Sequence, residues 1–197
     1  MRMLLHRRWR TTRPADRGGF TVLEVTISAA VLVVGVLGMV SAVAASLKLV
    51  EANRETMVAH QAARALAEQM QNGTFSQIFA NYNSLGSDDP GGAGRGHGAS
   101  FDVPGLRLSD EDRAAAQHAG RSTSVGAVEF PTNGAGALSE SVTDAALWMP
   151  SDLNGDGAIT AGAMPGSYLV LPVRIRVTWS GVAGPRTVTF QTLLVNR

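Results

Sequence analysis

The sequence predicts an α+β protein: a long N-terminal helix, first apolar on every face and then amphipathic, packed on a small antiparallel β-sheet head. Three observations carry this. From Phe20 to Val50 only Glu24 and Lys48 are charged. Between Val50 and Met70 apolar residues recur every three or four positions, the helical period. Near the C-terminus apolar and polar residues alternate, the period of a half-buried strand.

The chain has 197 residues and a hydrophobic fraction of 45%. That is enough for one cored domain plus an appendage. The net charge of +1 hides an asymmetry. Residues 1–19 carry six arginines against Asp16, a net +5, and the remainder carries a net −4. A mildly acidic head argues against nucleic acid as its partner. There are no cysteines, so neither disulfides nor thiolate chemistry is available. No nucleophile, base and orienting group fall together in the sequence, so an enzyme is not expected.

Taken in order, residues 1–19 form a basic leader and residues 20–50 an apolar segment. At about 1.5 Å per residue, Val25–Leu47 covers the roughly 30 Å hydrocarbon core of a bilayer. Ala44-Ala45-Ser46 imitates a secretory cleavage site, but the apolar run is long for a signal peptide. A helix apolar on all faces for this length is also rarely a globular core helix. A membrane span is the preferred reading. The arginine-rich leader sets its cytoplasmic side. Gly35, Gly38 and Ser41 are small residues that let helices approach closely within a membrane.

Glu24 is the odd residue of this segment. A carboxylate inside a bilayer costs about 2.5–3.5 kcal/mol on insertion scales. Lying about one turn from the start, it can reach the interface, which is the bland explanation. The functional one is that it meets a positive charge in an assembly. Cleavage after Gly19 would create such a charge at the amino terminus of Phe20.

Gly19-Phe20-Thr21-Val22-Leu23-Glu24, behind a basic leader and ahead of an apolar run, resembles the signal of type IV pilins and type II secretion pseudopilins. The resemblance covers only the first quarter of the chain. It implies cleavage between Gly19 and Phe20 by a prepilin peptidase, N-methylation of Phe20, and an assembly role for Glu24. It implies a single-pass protein of a bacterial inner membrane with its head outside, later part of a pilus or secretion pseudopilus. Its partners would be the peptidase, other pilin or pseudopilin subunits and membrane lipid. The long leader suits minor subunits.

Residues 51–72 extend the helix with one apolar stripe of Val50, Met57, Val58, Ala62, Ala65, Leu66 and Met70. Glu51, Arg54 and Glu55 read as solvated charge on the other face, and Asn72-Gly73 as the stop. Residues 73–100 form a loose Gly-rich connection, with Phe75–Tyr82 as a short helix or extended piece and Ser84–Gly98 as a surface loop. His60 and His97 lack ligand-like company.

Residues 101–197 form the β-rich head. Phe101–Val103 and Ser124–Phe130 read as short strands, and Asp110–Arg113 as a charged loop or turn. Leu169–Trp179 and Arg186–Val195 each alternate, giving an antiparallel hairpin across a Ser180–Pro185 loop. The helix stripe of residues 57–70 is the expected cover for its apolar face. The whole is a pilin-like arrangement, and the hairpin resembles that of PilV-type minor pilins.

A separate motif lies at residues 152–163. Asp152, Asn154 and Asp156 alternate ahead of Gly157, in the manner of an EF-hand or dockerin calcium loop. The Ala158 carbonyl and Thr160 complete the expected ligands, and Ile159 is expected to anchor the loop in a core. The twelfth position is Ala163 in place of the usual bidentate glutamate. A closing ligand would come from water or from a residue such as Asp144, and the ion would be structural calcium. The competing reading is a turn that needs no ion. For the whole protein, the competing class is a single-pass, membrane-anchored extracytoplasmic binding module with a calcium-stabilised head.

Overall fold

The computed structural model describes residues 19–164 and 167–196, and the leader ahead of Gly19 lies outside them. The protein is α+β, with one long helix and a four-stranded antiparallel sheet. The chain divides into two compact units at Ala45/Ser46.

In the first unit, helix α1 (Val22–Gln71) begins on Thr21. The Thr21 hydroxyl accepts the Glu24 N–H at 3.2 Å, which satisfies one of the orphan donors of the first turn. Every described residue from Gly19 to Val50 is exposed. The hydroxyls in this run bond their own helix, Thr26 to the Leu23 carbonyl at 2.8 Å and Ser41 to the Leu37 carbonyl at 2.9 Å. Such bonds leave few polar groups facing outward. α1 is long and apolar enough to cross a membrane.

In the second unit, α1 continues past Ser46 and the sheet runs in the order β1 (Ser100–Phe101), β2 (Gly126–Glu129), β3 (Val170–Gly181), β4 (Gly184–Val195). The β3–β4 register is unbroken, from Val170 opposite Val195 to Gly181 opposite Gly184. The turn is the pair Val182-Ala183, tighter than the expected loop. Leu171, Val173, Ile175, Val177 and Trp179 bury one face of β3, as the alternation demands. On β4, Val188 and Leu194 are buried beside them, with Phe190 partly buried.

The helix face that joins this core differs from the expected stripe. Ala59, Ala63, Ala67 and Met70 are buried, while Val50 and Met57 are more than 60% exposed. Val58, Ala62 and Leu66 are only partly buried against the core. Small side chains on the helix leave space for the bulk of Trp179, Ile175 and Leu171 on the sheet.

Phe75–Tyr82 is a helix, α2, the first of its two expected forms, and it buries Ile78, Phe79 and Tyr82. Phe79 packs edge-on against Phe130 with ring centroids 5.3 Å apart. Asp110–His118 is also a helix, α3, not a turn. Ser109 caps it by accepting the Asp112 N–H at 3.0 Å, and the three acidic residues of its first turn suit the helix dipole. The first two strands are shorter than read, because β1 ends at Phe101. Its ring lies directly on Gly126, where no side chain fits.

Candidate functional site

Two regions bear on function. At the head of α1, Gly19 has open space around its Cα, and the Phe20 side chain is 80% exposed. Thr21 supplies the helix cap and Glu24 the first-turn carboxylate. A carboxylate there is favoured by the helix dipole, a structural role for Glu24 that needs no second molecule. Thr21-Val22-Leu23-Glu24 is a capping-box pattern, a signal legible in the sequence. Glu24 makes no ion pair among the described residues.

In the head, the 152–160 loop is wound on its own acidic side chains. The Asp152 carboxylate accepts N–H bonds from Asn154 at 3.2 Å, Gly155 at 2.6 Å and Gly157 at 2.8 Å. The Asn154 side-chain oxygen accepts from Asp156 N–H, and the Asp156 carboxylate in turn from Ala158 N–H, each at 2.8 Å. Asn154 and Asp156 also meet through their side chains at 3.0 Å. Gly155 and Gly157 both have positive φ, at 77° and 84°, which the tight winding requires. The backbone bonds from Gly157, Gly155 and Asn154 hold the Asp152 carboxyl below the usual range.

So the fold brings Asp152, Asn154 and Asp156 to one turn. Ala158 joins through its N–H, and Thr160 does not join them. Thr160 turns instead to Glu140, a residue that sequence reading missed. Glu140 is fully buried. One carboxylate oxygen accepts N–H bonds from Leu153 at 2.8 Å and Asn154 at 3.4 Å. The other accepts the N–H and the hydroxyl of Thr160, both at 2.9 Å. Burial acts to raise this carboxyl, but the bonds from Thr160, Leu153 and Asn154 prevail and hold it below its ordinary value. Glu140 therefore clasps both ends of the loop.

Two expectations for this region are overturned. Ile159 is 54% exposed, and Leu153, 1% exposed, is the apolar anchor. Asp144, considered as a closing ligand, is engaged elsewhere. It caps the short helical turn Ala145–Leu147 through the Ala146 N–H at 3.0 Å and pairs with Arg174 at 2.9 Å. Arg174 also bonds Glu129, as Arg176 does at 3.2 Å, which ties β2, β3 and that turn together. Burial opposes a charged Asp144, and its bonds with Arg174 outweigh that and hold its carboxyl low. No group of three histidine or acidic side chains among the described residues is arranged to hold a metal ion.

Glu55, expected as solvated charge, is engaged by the sheet. Its carboxylate accepts the Trp179 indole N–H at 3.1 Å and the Val182 N–H at 3.2 Å. It thus latches the tip of the hairpin to α1. A side chain at Gly181 would meet the Glu55 carboxylate and push it off these donors. Glu51 and Arg54 form an exposed pair at 3.4 Å, as the sequence suggested. His97 stacks on Tyr82 with centroids 4.9 Å apart. Comparison with known proteins finds no match among family models, curated proteins or solved structures.

Proposed function

We propose that this protein is a minor type IV pilin or pseudopilin-like subunit. On this reading it is made as a precursor, cut after Gly19, N-methylated on Phe20 and assembled into a pilus or secretion pseudopilus. The carrying observation is Gly19-Phe20 followed by Glu24 at the head of a helix whose next residues, to Val50, are all exposed and nearly all apolar. Neither reaction would be performed by the protein itself. Its own contribution is an accessible junction at Gly19–Phe20, an apolar surface for other subunits and lipid, and a carboxylate one turn in.

The electrostatic logic is simple. Cleavage frees an ammonium at Phe20, beside the positive end of the α1 dipole. Glu24 carries the opposite charge close by. Within one molecule it offsets the ammonium, and between staggered molecules it offsets that of a neighbour. In a low-dielectric surrounding such a pair counts for much more than in water.

A bulky residue at the junction tests the reading. A Gly19→Phe variant should remain uncut and stay in the inner membrane, absent from sheared filaments. Normal shortening and incorporation of that variant would refute it. A structural calcium ion on the Asp152–Thr160 loop is a separable part of the proposal. The convergence of Asp152, Asn154 and Asp156 supports it.

A further inference from the structure

The outer edge of β4 is unguarded. β4 closes the sheet on one side, with β3 as its sole strand neighbour among the described residues. Which of its residues face outward is fixed by three hydrogen bonds. Asn196 N–H donates to the Leu169 carbonyl at 3.0 Å, toward β3. Thr178 and Ser180 N–H donate to the Val125 and Arg107 carbonyls at 2.8 and 2.9 Å, away from β4. Antiparallel pairing alternates strictly, so Thr187, Thr189, Gln191, Leu193 and Val195 turn their N–H and C=O groups outward. Among the described residues, nothing bonds those groups. Pro185, which has no N–H to offer, falls in the same outward row.

Natural edges are usually blunted by charge, proline, a bulge or a cover. From Thr187 to Val195 there is no charge, proline or glycine, and the register has no bulge. The side chains of the outward row are exposed, with Leu193 at 45% and Val195 at 56%.

We infer that this edge binds an extended segment, largely β-branched or apolar, of a different protein chain. The segment pairs with β4 through the main chain and carries an acidic residue where it passes Arg186. A row of alternating donors and acceptors is complementary to extended backbone. Threonine, leucine and valine in that row favour β-branched or apolar cross-strand partners. Arg186 makes no ion pair among the described residues, and its guanidinium reaches the neutral Thr56 hydroxyl at 3.3 Å. A carboxylate on the incoming segment would complement it.

A second copy of this chain fits less well, because its own β4, Gly184–Val195, has no acidic residue to set against Arg186. The free edge itself is independent of processing at Gly19.

The test uses the full chain in detergent micelles and an acetylated synthetic peptide, Asp followed by alternating Thr and Val. Amide exchange is followed by NMR. The expected result is saturable slowing at Thr187, Thr189, Gln191, Leu193 and Val195, with Val188, Phe190 and Leu194 unchanged. Gln191→Pro removes an outward donor without costing a bond to β3, and Thr189→Lys places a charge on the edge. Each should weaken peptide binding by roughly tenfold. Unchanged exchange at high peptide concentration would overturn the inference. So would equal protection in both variants. Protection without peptide, together with a doubled mass, would assign the edge to a second copy and overturn the choice of partner.

Discussion

Replacing Glu140 by Gln should destabilise the head by about 2 kcal/mol, although the shapes are nearly the same. The carboxylate accepts four hydrogen bonds, two on each oxygen. A glutamine amide keeps one accepting oxygen and presents its NH2 to the other pair of donors. The Thr160 hydroxyl can rotate to accept from that NH2, but the Thr160 N–H cannot. One backbone donor is then left without an acceptor, at about 1–3 kcal/mol, and the remaining bonds lose their charge assistance. Glu140→Ala removes the acceptor for every donor at once and should cost about 4 kcal/mol.

At about 2–4 °C per kcal/mol, these changes correspond to melting shifts of roughly 4–8 °C and 8–16 °C. Thermal unfolding of the full chain in detergent, followed by tryptophan fluorescence, measures both. The pH dependence adds a second readout. The folded carboxyl lies below its ordinary value, so its stabilisation is complete above the unfolded value of about 4.3 and fades as pH falls below that. Asp144 and Asp152 act with the same sign. Glu140→Gln should flatten part of the acid limb while leaving theirs. A glutamine variant that melts within about 1 °C of the parent, with an unchanged acid limb, would refute this view of the clasp.

Three other outcomes are expected. Glu55→Ala should cost about 1–2 kcal/mol, because the Trp179 indole and the Val182 N–H lose a charged acceptor at a partly exposed site; Trp179 emission and melting temperature report it. Ala63→Leu should destabilise by about 1–3 kcal/mol through overpacking against the sheet, whereas Met57→Leu on the exposed side should be near neutral in the same melt. Added calcium should raise the melting temperature and chelator should reverse it, with Asp152→Asn abolishing the effect; a flat calorimetric titration would count against the ion.

Legibility varied with the range of the signal. The apolar run and the β3–β4 hairpin follow from periodicity within a single segment, and each is where the pattern puts it. The buried face of α1 was misjudged because periodicity weighs alanine lightly. Ala59, Ala63 and Ala67 are the residues that face the core, and the bulkier Met57 lies on the exposed side. α3 was missed because charge masked its Ser109–Asp112 cap. Glu140 and Glu55 lay beyond reach for a different reason. Their partners are 20 and 124 residues away, at Thr160 and Trp179, and no local pattern encodes such a meeting. Leu153 and Ile159 exchanged roles: Glu140 holds the loop at both Leu153 and Thr160, and of the two apolar residues Leu153 is the buried one.

The central claim concerns the amino terminus, and mass spectrometry of the mature protein tests it most directly. Protein extracted from the membrane of its native host should yield an N-terminal peptide that begins at Phe20 and carries one added methyl group. An intact Met1 terminus, or a terminus near Ala45, would contradict the claim.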